Sequence, residues 1–421
     1  MKKIITLILL LFIYSSNFYS QTGWFQQNSG TLLNLNSVYF VDGNTGYTVG
    51  DTGQYTIVNN LFKTTNGGSN WVRLNFSFYP LSSVFFLDAN TGFICGGGTY
   101  GGHTLSRTTN GGLNWNGGLI NDTTKMYSVY FINSLTGFQT GFYGLNASGV
   151  SCIFKSTDGG ITWNKQYIGL YPEDIFSISF GDINTGYICG AGIFGKTTNT
   201  GVNWMSGYLP PISNMRSVFF INNTIGWIVG DSYNVNKTTN GGTNWSSFNL
   251  GNYLYSIRFV NDQSGWVCGN GGAIYGTTNG GTNWTQQTTG ISTTLYSLYF
   301  INAQTGWAVG ATGRILKTTT GGLTLINPIS NEVPNNFKLF QNYPNPFNPI
   351  TKIKYQIAGG VFVKLIIYDI LGREIGTLVN ENLQPGSYEA RWDATNYSSG
   401  VYFYRIQAGN YVNVKKIVLV K

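Results

Sequence analysis

The chain has 421 residues, of which 10% are charged and 16% aromatic, with 57 glycines and four cysteines. So little charge beside so many aromatic residues excludes a disordered chain and argues for short strands and turns, over a length that supports more than one domain. The net charge is +8, but no Lys/Arg cluster runs along the first three quarters of the sequence, so nucleic acid is excluded as a partner.

The amino terminus reads as a signal peptide over 1–20. Lys2 and Lys3 precede an apolar run, 4–14, too short to span a bilayer, and 15–21 is a polar exit. Cleavage is expected between Ser20 and Gln21, with Phe18 bulkier than that site prefers. No later stretch is long and apolar enough to span a membrane. Export permits disulfides. Yet Cys95, Cys189 and Cys268 share one repeat position with Val49, Val229 and Val309, so buried thiols are expected, Cys152 included.

From 21 to 325 the chain repeats. Seven segments open on a short strand whose first residue is Ser37, Ser83, Ser128, Ser177, Ser217, Ser256 or Ser297, as in Ser217-Val218-Phe219-Phe220. An Asn/Asp turn follows, then a Gly-aromatic strand such as Thr305-Gly306-Trp307-Ala308-Val309-Gly310. A third strand enters a Thr-Thr-Asn-Gly-Gly turn, and a fourth begins at a tryptophan. Four short strands per unit of roughly 40–45 residues is the pattern of a propeller blade. No segment shows a 3.6 period, so a helical solenoid is excluded. The series Tyr47, Phe93, Phe138, Tyr187, Trp227, Trp266 and Trp307 is expected to be core between blades.

The chain ends fix the blade count. The last copy of the turn, 317–325, lacks its tryptophan, whereas Gly23-Trp24-Phe25-Gln26-Gln27 carries one outside any copy and matches Asn283-Trp284-Thr285-Gln286-Gln287. The amino-terminal strand is therefore expected to complete the last blade and close the ring. The fold class expected is all-β: a seven-bladed β-propeller over 21–325, a linker over 326–336, and a small Ig-like β-sandwich over 337–421.

Lys155-Ser156-Thr157-Asp158-Gly159-Gly160-Ile161-Thr162-Trp163 resembles the Asp-box of sialidase-like propellers, through Ser156, Asp158, Gly160 and Trp163. The full phrase, Gly-Trp-x-x-Gly and then Lys-Thr-Thr-Asn-Gly-Gly-x-x-Trp, more closely resembles the propeller of the photosystem II stability/assembly factor family, over 24–325. That resemblance implies the fold, with the Asp-box turns on the face away from a ligand. A role in that membrane complex is not expected of an exported chain.

The carboxy-terminal region has strand-like runs at 352–357, 361–368, 374–379, 387–392, 401–407 and 411–420. It closely resembles the type A sorting domain of the type IX secretion system of Bacteroidetes-like bacteria. The motif residues are Asn342, Pro344, Pro346 and Pro349, Gly372 in Tyr368-Asp369-Ile370-Leu371-Gly372-Arg373, then Gly386, Trp392 and Gly400. The resemblance implies recognition by the outer-membrane machinery of that system, removal of the domain by a cut near 326–337, and cargo that is released or fixed to the cell surface.

Catalysis finds little support in the propeller sequence. A sialidase needs a tyrosine nucleophile with a partner glutamate, an acid/base and an arginine cluster. The region holds one glutamate, Glu173, and five arginines at different repeat positions: Arg73, Arg107, Arg216, Arg258 and Arg314. A divergent sialidase-like hydrolase is the alternative reading. It requires Glu173, Asp174 and an arginine around one pocket facing a tyrosine. The sole histidine, His103, lies in a Gly-rich stretch and is expected in a loop. No Cys-x-x-Cys or His-x-x-x-His occurs, so no metal or cofactor is expected. What remains is binding of an extracellular protein or glycan by the variable loops, where Tyr79, Tyr100, His103, Tyr143, Tyr171, Tyr208 and Tyr253 are the candidates.

Overall fold

The computed structural model describes residues 23–51, 60–75, 80–98, 102–120, 124–143, 150–167, 173–207, 214–322, 327–330, 334–383, 385–394 and 397–421. The expected signal peptide lies outside them.

Seven four-stranded antiparallel sheets make up the first unit. Blades 1 to 6 span 34–73, 81–120, 124–167, 175–207, 215–249 and 254–287. Blade 7 takes three strands from 295–318 and its fourth from Phe25–Gln27, which pairs Gln26 with Leu316. The ring therefore closes through its amino-terminal strand, as Trp24 foretells, and no blade is left with an open seam.

One packing unit recurs at every interface between blades. The aromatic residue of a second strand stacks on the phenylalanine that ends the first strand of the next blade. Centroid distances are 3.8 Å for Tyr47–Phe86, 3.9 Å for Phe93–Phe131, 4.8 Å for Phe138–Phe180, 3.4 Å for Tyr187–Phe220, 3.6 Å for Trp227–Phe259, 3.7 Å for Trp266–Phe300 and 3.4 Å for Trp307–Phe40. The tryptophan that opens the fourth strand meets the same phenylalanine edge-on, from Trp71 on Phe40 at 5.9 Å to Trp24 on Phe300 at 5.6 Å. Each ring pair adds about 0.5–1.5 kcal/mol to its area burial. Repeated seven times, it makes the interfaces nearly interchangeable. The glycine before each second-strand aromatic makes room for the phenylalanine: a Cβ on Gly46 would lie 2.4 Å from the Phe40 ring.

The repeated serines stitch the inner strands together. Ser37 Oγ accepts the Val84 N–H at 3.3 Å, Ser217 accepts that of Ile257 at 3.4 Å, and Ser297 accepts that of Val38 at 3.4 Å across the closure. The four cysteines are all buried, and burial pushes the thiols of Cys95, Cys189 and Cys268 up. Cys95 sits opposite Ser83 as Val49 sits opposite Ser37, which is the alternation read from the sequence.

The second unit is a sandwich of two four-stranded sheets. One is ordered Asn327–Ser330, Gly386–Asp393, Ile350–Ile357, Lys338–Leu339. The other is ordered Glu374–Leu383, Val361–Tyr368, Gly400–Ala408, Tyr411–Leu419. Ile353, Tyr355 and Trp392 from the first pack with Leu365, Tyr404 and Ile417 from the second in one core. Asn327–Ser330 lies within the stretch read as linker, yet it pairs with Gly386–Asp393. Pro328 and the polar neighbours hide the strand from a periodicity argument.

Candidate functional site

The turn phrase builds rigid corners. In blade 3, Ser156 Oγ accepts the Gly160 N–H at 2.8 Å. The Asp158 carboxylate accepts the Ile161 N–H at 3.1 Å and both the N–H, at 2.9 Å, and the hydroxyl of Thr162. These bonds, led by the Thr162 hydroxyl, bring its pKa down to about 2. The turn is tied to the first-to-second-strand turn of its own blade, Gly159 N–H to Leu135 O at 2.8 Å. Both turns lie at one end of the blade, so the other two connections share the opposite face.

On that opposite face the channel mouth is lined by the residue before each serine: Asn36, Ser82, Tyr127, Phe176, Arg216, Tyr255 and Tyr296. Five of them touch across consecutive blades. Tyr127 meets Phe176 edge-on at 5.0 Å; the Arg216 guanidinium lies 4.8 Å from the Phe176 ring and 6.0 Å from Tyr255; Tyr255 meets Tyr296 edge-on at 5.4 Å. All are half-buried. Arg216 is held by Asp231 through a bidentate pair, Nε to Oδ1 at 3.2 Å and Nη2 to Oδ2 at 3.1 Å, which fixes the plane of its guanidinium. The Tyr127 hydroxyl donates to Asp174 at 2.9 Å, and burial and that carboxylate raise its pKa. The polar side of the mouth carries Asn36, whose amide donates to Asp51 at 2.8 Å and to Leu81 O at 3.0 Å.

Beside this arc stand two exposed rings, Tyr233 and Tyr253, with centroids 4.7 Å apart and hydroxyls 3.0 Å apart. Tyr233 has φ 64, where the matching positions of blades 6 and 7 are Gly272 and Gly313. A non-glycine residue there costs roughly 1–2 kcal/mol. Deeper in the channel, Arg258 lies 5.3 Å from the Phe219 ring and 4.7 Å from Tyr299.

Of the loop candidates, Tyr253 stands on the mouth rim. Tyr143 ends the strand Gly137–Tyr143 under the Lys165 ammonium. His103 is not in a loop: it pairs with Gly97 and Ile120 within the strand Gly102–Thr108, because the pattern of alternate pairing runs through the glycines. Tyr79, Tyr100, Tyr171 and Tyr208 lie outside the described residues. The arc itself was missed. Its signal is the column beside the repeated serine, which reads as ordinary strand alternation unless the seven copies are stacked. Among the described residues, no three His, Cys, Asp or Glu gather as a metal site, and no helix is long and apolar enough to cross a membrane.

The sorting motif is built into its sandwich. The buried Asn342 amide donates to Pro344 O and Thr351 Oγ1, both at 3.0 Å, and its N–H donates to the Tyr404 hydroxyl at 2.9 Å. Trp392 packs on Phe347 at 5.2 Å and Tyr402 at 5.3 Å, and Pro349 O accepts the Ala394 N–H at 2.8 Å. Pro346 precedes Phe347, which bonds to Val418 of the final strand at 3.0 Å. Gly372 turns at φ 78 beside Asp369, whose carboxylate holds Arg373 at 2.6 Å. Gly386 and Gly400 open strands, and no contact in the structure requires a glycine at 400.

These features define a seven-bladed propeller joined to an export domain. Residues 341–421 match the family model of the secretion system C-terminal sorting domain, so the chain is handled by type IX secretion and exported to the cell surface or the extracellular space. Within the propeller, 197–287 and 249–319 match the Photosynthesis system II assembly factor YCF48 model. The solved structure of YCF48 bound to D1 peptide is similar, at 17% identity and a TM-score of 0.56, over 71% of this chain and 97% of that one. YCF48 from Cyanidioschyzon merolae matches at 18% identity and 0.54, over 70% and 98%. The WD40 propeller domain of Doa1 matches at 10% and 0.52, over 69% and 96%. At these identities the likeness is one of fold. No curated protein matches the sequence.

Proposed function

We propose that this exported propeller is a non-catalytic scaffold that binds an extracellular protein or glycan at the channel mouth. The observation that carries this reading is the arc Tyr127–Phe176–Arg216–Tyr255–Tyr296, which places stackable rings and one oriented guanidinium on five successive blades. Aromatic and arginine side chains on a rigid frame bind with little ordering cost. A propeller of the same fold holds a peptide in one of the similar structures, which supports a polypeptide ligand. Of the loop candidates read from the sequence, Tyr253 belongs to this surface. The test is a glycan array and protein pull-down with the full chain purified after export; no retained ligand of either class would sink the reading.

A sialidase-like hydrolase is favoured by one observation, the Tyr127–Asp174 pair near Arg216. Against it, a nucleophilic tyrosine needs a lowered pKa, whereas burial and Asp174 raise that of Tyr127. Arg216 is already paired with Asp231. Fluorogenic sialosides and glycosides are expected to remain intact; release abolished by Tyr127→Phe would establish the hydrolase. For export, deletion of 342–421 is expected to hold the protein in the periplasm, and its continued appearance outside the cell would refute the role of the domain.

A further inference from the structure

The third strand of each blade carries a basic residue just before its turn in every blade but one. Lys63, Lys155, Lys196, Lys237 and Lys317 lie over the second-strand aromatic of their own blades, with ammonium-to-centroid distances of 5.4, 5.8, 5.4, 5.7 and 5.2 Å. Three of them also reach a carbonyl in the turn of the next blade: Lys63 to Gly111 O and Lys155 to Thr200 O at 2.7 Å, and Lys196 to Gly241 O at 3.1 Å. Blade 2 has Arg107 at this position, and blade 6 has Gly276. Its aromatic, Trp266, is the one ring of the series with no basic residue at that position.

A cleft of about 360 Å³ stands there between blades 6 and 7, lined by Trp266, Gly276, Asn279, Asn283, Gln304 and Gly321 among others, with no charged side chain in its wall. It opens among the turns, on the face opposite the mouth. The facing carbonyl, Gly321 O, accepts Trp266 Nε1 at 2.8 Å and Gln287 Nε2 at 2.9 Å. That does not close the site to a cation. In blade 7 the matching Gln27 donates to Gly67 O at 3.1 Å while Lys317 lies over Trp307.

We propose that this cleft binds a primary alkylammonium group, as carried by a lysine side chain of a partner polypeptide, over the Trp266 ring. The five lysines demonstrate the chemistry within the same chain: each ammonium lies over an aromatic ring, and three of them donate to a backbone carbonyl. Burial lowers the pKa of Lys63, Lys155 and Lys317, so the environment strips water from the cation. A neutral sugar fits the wall chemistry, but Trp266 is 4% exposed. That leaves no open face for a pyranose ring to lie on, whereas a lysine stem needs only a slot.

The test uses the full chain labelled with 5-fluorotryptophan, with the Trp266 resonance assigned by Trp266→Phe. Titration with Nα-acetyl-lysine methylamide is expected to shift that resonance saturably, at least about tenfold tighter than the norleucine analogue, as loss of a desolvated cation–π contact requires. Gly276→Lys places the missing side chain in the cleft and should abolish the shift. Gly276→Met fills the same volume without charge and serves if the lysine variant does not fold. No saturable shift of Trp266 in the parent chain, or equal shifts from the norleucine analogue or a methyl glycoside, would overturn the proposal without bearing on the mouth.

Discussion

On the face that carries the turns, all seven blades present nearly the same residues, and the bonds recur atom for atom: Thr64, Thr108, Ser156, Thr197, Thr238, Thr277 and Thr318 each accept the N–H four residues on. On the face with the mouth, the seven equivalent positions hold five residue types: Asn36 and Arg216 are held by Asp51 and Asp231 from one repeat position, and Tyr127 by Asp174 from the segment before the next blade. The difference teaches where the two demands on the chain fall. Seven interfaces must interlock at the same angle for the ring to close, so the turn face and the stacked rings are held to one solution. Nothing in ring closure fixes the mouth, which leaves it open to recognition.

Four substitutions sharpen that contrast. Trp24→Ala removes the edge ring of the closing blade and its 2.7 Å bond to Gln287. A loss of about 3–5 kcal/mol in urea unfolding is expected, and a loss below 1 would mean that the amino-terminal strand does not close the ring. Ser217→Ala takes the acceptor from the Ile257 N–H and should cost about 1 kcal/mol in the same assay. Thr200 holds φ 55 where other turns have glycine, so Thr200→Gly is expected to stabilise by about 0.5–1 kcal/mol; a destabilised variant would show that its 3.2 Å bond to Asn184 outweighs the strain. The smallest effect belongs to Asp158. Its folded pKa lies below the unfolded value of 3.8, so its contribution is present above that value and fades as pH falls towards about 2. Asp158→Asn, the residue of most sibling turns, should reduce the fall in melting temperature between pH 5 and pH 2; an unchanged fall would show that this carboxylate does not take part.

Much of the frame is legible in the sequence alone. The turn at 317–325 lacks its tryptophan, which points Trp24 to the last blade, and the strand that follows it pairs Phe25 with Lys317. The Trp227, Trp266 and Trp307 series was legible as core because its members alternate with Phe and Tyr, and each stacks in an interface. Six of the eight strands of the sandwich were legible as strand-like runs, and the short strands Asn327–Ser330 and Lys338–Leu339 were not. The mouth was not, because its residues are alternating members of inner strands whose meaning depends on how seven sheets are arranged around an axis. Tyr127 and Tyr255 are 128 positions apart in sequence by their numbers, and Phe176 and Arg216 bring them into one arc. The vacancy at Gly276 was equally hidden, since a missing lysine has consequences only once Trp266 is seen beneath it.

The central claim is that recognition resides at the mouth. The most direct measurement compares ligand retention by the parent chain with that of Tyr127→Ala/Tyr255→Ala/Tyr296→Ala at the mouth and Asn66→Ser/Asn240→Ser on the turn face, on one glycan array and in one pull-down. A ligand weakened at least about tenfold by the mouth variant and held equally by the turn variant is the predicted result. A ligand that survives the mouth variant, or is lost with the turn variant while the fold is intact, would contradict it.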